Sequence, residues 1–276
     1  MIHETIRLND FYPSLVGEAT LTSYCLSNNN ETGLNIKRQS VLIMPGGGYV
    51  FVSSREGEPI ALRFASYNLN AFVLDYPVGN LQGGAPLTHA IAALLYLSKN
   101  AERYNIDLDN VFVLGFSAGG HLAGITALYY RDPAYLKMLG VEKMPLTLKG
   151  VLFGYPVITM GEKTHKDTME NITHLQPDLR EKFSIEKQIT PSYPPVFVWS
   201  TRPDSIVPID NTEFLAKACQ KNGVPCEKHI FPKGEHGEAL ADDVSYPSAR
   251  DDAYRKEIAE NAHWSQYAIA FIKSLK

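Results

Sequence analysis

A serine between a buried apolar run and a helical stretch is the residue best placed to do chemistry in this chain. The apolar run 111–114 ends at Gly115, and Ser117 follows in the pattern G-x-S-x-G. A helix-compatible stretch, residues 122–130, begins soon afterwards. A serine in this strand–turn–helix context is held on a sharp turn that exposes its hydroxyl. The pattern therefore predicts a nucleophilic serine, and the alternative is a tight turn whose glycines serve packing alone.

A second glycine cluster lies upstream of this serine. Residues 40–44 form a short apolar run, and the sequence P-G-G-G-Y follows at residues 45–49. Consecutive glycines leave backbone N–H groups uncovered by side chains, so that they can donate hydrogen bonds to a developing oxyanion. A flexible turn is one alternative. A nucleotide-phosphate loop is disfavoured, because neither G-x-G-x-x-G nor G-x-x-x-x-G-K-[ST] occurs in the chain.

A nucleophilic serine needs an imidazole base and a carboxylate that orients this base. In hydrolases with the strand–turn–helix serine, the chain order is Ser, then Asp or Glu, then His. Asp204 follows the predicted strand 196–200, and His236 follows the predicted strand 227–231 between two glycines. We therefore predict Asp204 as the orienting acid and His236 as the base.

Competing acids and histidines fit this order less well. Asp210 falls at the start of a predicted helix, where the helix dipole explains a carboxylate, and the acids at 242–243 come after His236. His121 lies on the predicted helix that follows Ser117, and we expect it to pack against the turn. No motif surrounds His3, His165 or His174, while His229 falls in a predicted strand and His263 in a predicted helix.

Apolar strands alternate with helical stretches along most of the chain. The predicted strands are 19–26, 41–44, 71–74, 111–114, 150–153, 196–200 and 227–231, and the predicted helices are 59–67, 87–104, 122–130, 211–221 and about 254–275. Continuous apolar strands separated by helices indicate a doubly wound, mostly parallel sheet that is covered on both faces. We expect a single α/β domain over residues 1–276.

One segment interrupts this alternation. Residues 155–195 are polar, mixed in charge and bounded by prolines, and they are longer than a simple crossover requires. We predict a small cap or lid over the carboxyl edge of the sheet, where ligands of open α/β sheets bind. A plain surface helix with long flanks is the alternative.

Composition and charge limit the class of partner. Of 276 residues, 45% are hydrophobic and 20% are charged, as in an ordinary globular protein. A net charge of -4 without a basic stripe gives no electrostatic case for nucleic acid or an anionic membrane. Three widely spaced cysteines predict neither a disulfide framework nor a zinc site. The first residues, M-I-H-E-T, lack a basic segment and an apolar core, so we expect no signal peptide and a cytoplasmic protein. A homo-oligomer is compatible with the sequence.

Together the motifs resemble the α/β-hydrolase family, in its bacterial esterase and acetyl-xylan-esterase-like branch related to the hormone-sensitive-lipase group. The residues that carry the resemblance are PGGGY at 45–49, REGEP at 55–59, AFVLDY at 71–76, GFSAGGHLA at 115–123, DSIVP at 204–208 and GEHG at 234–237. It implies the α/β-hydrolase fold and an esterase that uses no metal or cofactor.

The resemblance also assigns roles to individual residues. It implies Ser117 as the nucleophile, Asp204 as the acid and His236 as the base. It further implies an oxyanion hole formed by the backbone N–H groups of Gly47, Gly48 and Ala118.

Two positions depart from the lipase group. Pro45 stands where that group has the histidine of H-G-G-G, and Phe116 stands where many relatives have aspartate. Both resemble the sugar-esterase branch, which implies a small-molecule substrate with a short acyl group, acetyl first, on a carbohydrate-like alcohol. Two other functions stay open: a peptidase or amidase that uses the same triad, and a non-catalytic binding protein that kept the fold.

Overall fold

An eight-stranded sheet organises the part of the chain that the computed structural model describes, which is residues 1–29, 31, 36–79, 84–246 and 251–275. Its order is β1-β2-β4-β3-β5-β6-β7-β8. Strands β1 and β2 are antiparallel to their neighbours, and all pairs from β4 to β8 are parallel. The predicted doubly wound, mostly parallel sheet is therefore confirmed. The strands are β1 Ile2–Arg7, β2 Thr20–Cys25, β3 Arg38–Met44, β4 Asn70–Asp75, β5 Ile106–Phe116, β6 Leu148–Gly154, β7 Val196–Thr201 and β8 Cys226–Phe231.

Helices cover both faces of this sheet. Within the described ranges they are α1 Glu58–Ala65, α2 Ala85–Lys99, α3 Ala101–Tyr104, α4 Ala118–Tyr129, α5 Pro133–Met138, α6 Lys166–Thr173, α7 Pro177–Phe183, α8 Ile185–Gln188, α9 Asp210–Lys221, α10 Asp252–Glu257 and α11 Trp264–Ser274. Short 3-10 turns occur at Leu8–Asp10, Ser54–Glu56 and Ala259–His263. None of these described helices has the length and apolar character needed to cross a bilayer.

Alternate side chains of the central strands enter two separate cores. Val41 and Ile43 of β3 pack in one cluster with α1 and α11. Leu42 and Met44 of the same strand pack in the other, with α2 and α4. Successive side chains of a strand point to opposite faces, so a strand buried on both faces must be apolar at every position. This requirement explains why the continuous apolar runs of the sequence became the centre of the sheet.

Some element boundaries differ from the sequence prediction. Strand β1 was not predicted, because Ile2 and Ile6 share their face with Glu4 and the strand lies at the edge of the sheet. The predicted helix 87–104 is divided at Asn100 into α2 and α3. Residues Pro133–Met138, for which the sequence predicted no element, form α5, and Asp132 caps this helix by accepting the N–H of Ala134 at 2.8 Å.

The predicted helix 254–275 is also interrupted. It consists of α10, the 3-10 turn Ala259–His263 and α11. At the interruption, the side-chain amide of Asn261 donates to the carbonyl of Lys233 at 3.0 Å and to Glu238 Oε2 at 2.8 Å. These acceptors belong to the loop after β8, so the bend depends on tertiary contacts rather than on local helical pattern.

The segment 155–195 contains the three short helices α6, α7 and α8. Asn171 of α6 donates a hydrogen bond to the carbonyl of Gly48 at 3.0 Å. At the end of α7, the carbonyl of Phe183 accepts a hydrogen bond from His121 of α4 at 2.8 Å. The segment therefore lies against the carboxyl edge of the sheet, and its action as a lid stays a prediction.

Candidate active site

Ser117 occupies the turn between β5 and α4 with φ +52° and ψ -121°. A non-glycine residue rarely adopts a positive φ, and such strain persists only where the surroundings enforce it. Here the enforcement is close packing: a Cβ atom added at Gly119 would lie 2.1 Å from the carbonyl oxygen of Met44, and one added at Gly115 would lie 2.0 Å from the carbonyl oxygen of Gly119. The turn therefore needs its glycines, and it holds the hydroxyl at the carboxyl edge of the sheet.

A chain of hydrogen bonds joins the residues predicted as the triad. His236 Nε2 lies 2.8 Å from Ser117 Oγ, and His236 Nδ1 lies 2.7 Å from Asp204 Oδ2. A carboxylate only accepts hydrogen bonds, so Nδ1 carries the proton and Nε2 can accept the proton of the serine hydroxyl. The side chain of Asp204 is 1% exposed and that of His236 is 15% exposed. The structure thus brings together three residues that follow β5, β7 and β8, as the sequence order predicts.

The other carboxylate oxygen of Asp204, Oδ1, fixes the side chain against the backbone of the turn that follows β7. Asp204 Oδ1 accepts the backbone N–H groups of Ile206 and Val207, each at 2.9 Å. An aspartate that bonds to backbone groups two and three residues on is a common way to stabilise a turn. Because Oδ1 is used in this way, Oδ2 is directed at His236.

Two side chains hold the loop that carries His236. The Arg55 guanidinium donates to the carbonyl of Gly237 at 2.9 Å and to the carbonyl of Ser245 at 3.0 Å. The ring of Tyr155 packs edge-on against the His236 ring, with centroids 5.0 Å apart. The imidazole therefore packs against an aromatic ring, and its loop is held by a guanidinium.

The glycine loop after β3 faces the same space. Gly47 has φ +126°, and a Cβ atom added there would lie 2.0 Å from the carbonyl oxygen of Phe51. The Gly47 carbonyl accepts the N–H of Val50 at 2.9 Å, and that of Gly48 accepts the amide of Asn171. None of the described residues accepts a hydrogen bond from the N–H of Gly47 or Gly48. These donors, which border the cavity described below, are available to a substrate oxygen.

The backbone N–H of Ala118, the residue directly after Ser117, is the third candidate donor. Ala118 is the first residue of α4, where backbone N–H groups have no acceptor within the helix. The positive end of the helix dipole also lies there, which favours negative charge beside Ser117.

A buried carboxylate connects the glycine loop to the other side of the site. Glu56, only 3% exposed, accepts the N–H of Gly46 through Oε2 at 2.7 Å and the hydroxyl of Tyr155 through Oε1 at 2.6 Å. The Tyr155 hydroxyl in turn accepts the N–H of Ala239 at 2.9 Å. Burial, reinforced by the charge of Glu56, raises the pKa of Tyr155 well above its usual value, so the hydroxyl stays protonated.

His121, the rival base, is engaged elsewhere. Its Nε2–H donates to the carbonyl of Phe183 at 2.8 Å, so its Nδ1 accepts the hydroxyl of Tyr49 at 2.9 Å. Burial lowers its pKa to about 4, so the ring is neutral at pH 7. Both nitrogens therefore serve packing around α4, as expected from the sequence.

A cavity of about 430 Å³ opens above the serine. The residues that line it are Gly47, Gly48, Val50, Phe51, Ser53, Arg55, Glu56, Ser117, His165, Asp167, Ile206, His236 and Gly237.

The sequence analysis did not identify four residues at or beside the site, which are Glu56, Tyr155, His165 and Asp167. For Tyr155 a signal existed, because it follows β6 at the edge where the other site residues lie. Across the described ranges, no group of three or more His, Cys, Asp or Glu residues is placed to hold a metal ion.

The profile of the BD-FAE family matches residues 34–219. The chain belongs to the BD-FAE family. A solved structure, the acetyl ester-xyloside bifunctional hydrolase from Caldicellulosiruptor lactoaceticus, has a TM-score of 0.81 and 30% identity, covering 99% of this chain and 96% of that one. This BD-FAE member thus has the α/β-hydrolase fold, and the resemblance inferred from its motifs is confirmed.

Two curated relatives of this BD-FAE member are longer proteins. The endo-1,4-beta-xylanase B of Butyrivibrio fibrisolvens is 34% identical over 84% of this chain and 37% of the relative. The acetylxylan esterase of Xylanibacter ruminicola is 26% identical over 89% of this chain and 52% of the relative. The chain therefore spans between about a third and about half of the length of these relatives.

Proposed function

We propose that this protein hydrolyses carboxylic esters with short acyl groups, acetyl first, on carbohydrate-like alcohols, through an acyl-enzyme formed on Ser117. The observation that carries the proposal is the hydrogen-bonded chain from Ser117 Oγ through His236 to Asp204, beside the glycine loop. The likeness to proteins described as an acetylxylan esterase and an acetyl ester-xyloside hydrolase supports the ester chemistry and the acetyl group.

Acylation begins when Ser117 Oγ attacks the carbonyl carbon of the ester and His236 Nε2 takes the hydroxyl proton. The N–H groups of Gly47, Gly48 and Ala118 donate hydrogen bonds to the developing oxyanion. Asp204 holds the imidazole in its tautomer and stabilises the imidazolium. The carbon–oxygen bond to the alcohol then breaks, the leaving oxygen receives the proton from His236 Nε2, and the acyl group remains on Ser117.

Deacylation repeats the same steps with water. His236 Nε2 takes a proton from a water molecule that attacks the acyl carbon, and the same three N–H groups hold the second oxyanion. Collapse of this intermediate returns the proton to Ser117 Oγ and releases the carboxylic acid. The chemistry is complete with groups of this chain and water.

A series of p-nitrophenyl esters from acetate to dodecanoate, measured on the wild type and on Ser117→Ala, tests the proposal. We expect the highest kcat/KM on the acetate. We expect Ser117→Ala to lose roughly 10⁶-fold in kcat, as loss of the nucleophile does in a comparable triad enzyme, with an unchanged circular dichroism spectrum.

Four results would contradict parts of this proposal. Near-wild-type turnover by Ser117→Ala would remove the serine from the mechanism. A maximum on octanoate or longer chains would remove the short acyl group. Faster turnover of aminoacyl anilides than of esters would favour the amidase alternative. A fluorophosphonate probe that failed to label Ser117 would favour a non-catalytic binding protein.

A further inference from the structure

We infer that His165 and Asp167, at the start of α6, form the alcohol-side subsite of the cavity, and that this subsite takes a neutral ring that bears hydroxyl groups, such as a pyranoside. The inference rests on the proposed function, because it names the residues that select the alcohol of the same ester. Both residues line the cavity above Ser117.

The position of His165 places it on the leaving-group side. The leaving oxygen must lie next to His236 Nε2, since that nitrogen protonates it. His165 lies beside the glycine loop, where a Cβ atom added at Gly48 would be 3.6 Å from His165 Cε1. His165 also lines the same cavity as Ser117 and His236. An ester held between the oxyanion donors and His236 would therefore extend its alcohol towards α6.

The hydrogen bonds of His165 leave a donor for the substrate. Its Nδ1 caps α6 by accepting the N–H of Thr168 at 3.4 Å, and Thr168 Oγ1 lies 2.9 Å from the same nitrogen. With Nδ1 as the acceptor, the ring carries its proton on Nε2. Burial lowers the pKa of His165, with Asp167 opposing this effect, so the neutral form is favoured.

Asp167 supplies the complementary acceptor. It is exposed at the second position of α6, and its carboxylate can accept hydrogen bonds from two hydroxyl groups. An imidazole N–H and a carboxylate two residues apart match the acceptor and donor character of neighbouring hydroxyls on one ring.

Apolar side chains at the mouth suit the other surface of such a ring. Phe51 is 59% exposed and Ile206 is 49% exposed, and both line the cavity. Clustered exposed apolar residues around a pocket with polar groups mark a binding site. A pyranose ring presents C–H groups on its faces and hydroxyls at its edge. The C–H face would pack against Phe51 and Ile206, while the hydroxyls would bond to His165 and Asp167.

The charges at the cavity favour a neutral alcohol over an acidic one. Glu56 and Asp167 are both carboxylates of the lining, and Asp204 lies behind His236. The guanidinium of Arg55, which also lines the cavity, is directed to the carbonyls of Gly237 and Ser245. A carboxylate on the substrate would thus approach like charges, which is unfavourable at short range.

Kinetics with two acetyl esters test this subsite. The measured quantity is the ratio of kcat/KM on acetylated methyl β-xyloside to kcat/KM on p-nitrophenyl acetate, whose leaving group has no aliphatic hydroxyls. We expect Asp167→Asn to lower this ratio ~10- to 100-fold, the range for a hydrogen bond to a charged group, mainly through KM. We expect His165→Asn, which removes a neutral donor, to lower it ~2- to 10-fold. Asparagine at 165 can still cap α6 but lacks the Nε2 donor.

A matched control is available in the same segment. Asp178 is the second residue of α7, as Asp167 is of α6, but it is not part of the cavity wall. Asp178→Asn should leave the ratio at its wild-type value. A ratio unchanged in both Asp167→Asn and His165→Asn, or lowered equally by Asp178→Asn, would overturn the inference.

Binding without turnover separates this inference from the proposed function. Methyl β-xyloside is titrated by NMR into Ser117→Ala, with and without Asp167→Asn or His165→Asn. Weaker binding in the double variants supports the subsite, and equal binding overturns it. A methyl uronoside, which carries a carboxylate, should bind more weakly than the xyloside. Asp167→Asn should reduce this difference in affinity, because it removes one of the like charges. A wild type that hydrolyses neither ester would end the proposed function, while this titration would still decide the subsite.

Discussion

At the scale of single residues, Asp204 uses its two oxygens for different purposes. Oδ1 holds the turn through Ile206 and Val207, and Oδ2 accepts the Nδ1–H of His236. Asparagine can keep the turn, but its NH2 group would face Nδ1 and favour the tautomer that cannot accept the proton of Ser117. We expect Asp204→Asn to retain the fold and to lower kcat on p-nitrophenyl acetate by about 10⁴, as the same change does in a comparable triad.

Asp210 provides the control for this substitution. It belongs to the first turn of α9, where a carboxylate interacts favourably with the helix dipole, and it does not line the cavity. Asp210→Asn should keep wild-type kcat in the same assay. Activity near wild type in Asp204→Asn, or an equal loss in Asp210→Asn, would remove Asp204 from its proposed role.

At the scale of elements, the two loops that form the site are joined by one buried side chain. Glu56 accepts the N–H of Gly46 in the glycine loop and the hydroxyl of Tyr155, and Tyr155 contacts both Ala239 and the ring of His236. Displacement of reacting groups by about 1 Å can cost ~10²-fold in rate. We therefore expect Glu56→Gln to lower kcat on p-nitrophenyl acetate ~10²-fold, because its amide cannot accept both hydrogen bonds.

Two further variants distinguish this link from a general loss of charge. Tyr155→Phe removes the hydroxyl that Glu56 and Ala239 share, and it should reduce kcat in the same direction. Glu58→Gln changes an exposed carboxylate at the start of α1 that accepts the Tyr24 hydroxyl at 3.1 Å, and it should not change kcat. Equal activities of Glu56→Gln and Glu58→Gln would show that the link does not position the loops.

At the scale of the whole molecule, the sheet was predictable because its central strands must be apolar on both faces. The order of Ser117, Asp204 and His236 was predictable as well, since each residue follows a strand that the sequence pattern indicates. Glu56 could not be found in this way, because its partners Gly46 and Tyr155 are joined to it only by folding. The segment 155–195 likewise has short helices whose contacts with the glycine loop no local pattern encodes.

Burial of His121 makes the stability of the molecule depend on pH. The ring joins α4 to Tyr49, next to the glycine loop, and to Phe183 of α7, so it becomes buried only when three parts of the chain assemble. Burial lowers its pKa from 6.5 to about 4. At 1.36 kcal/mol for each pKa unit, this difference corresponds to roughly 3 kcal/mol in the free energy of unfolding.

The direction of this dependence follows from which state binds the proton. As pH falls below about 6.5, the unfolded chain protonates His121 while the folded protein does not until about pH 4, so the free energy of unfolding decreases over that window. Burial lowers the pKa of His89 as well, which adds to the same slope. Urea unfolding across the window should give a shallower slope for His121→Gln than for the wild type, whatever its absolute stability. An unchanged slope in His121→Gln would show that this ring is not the group that titrates.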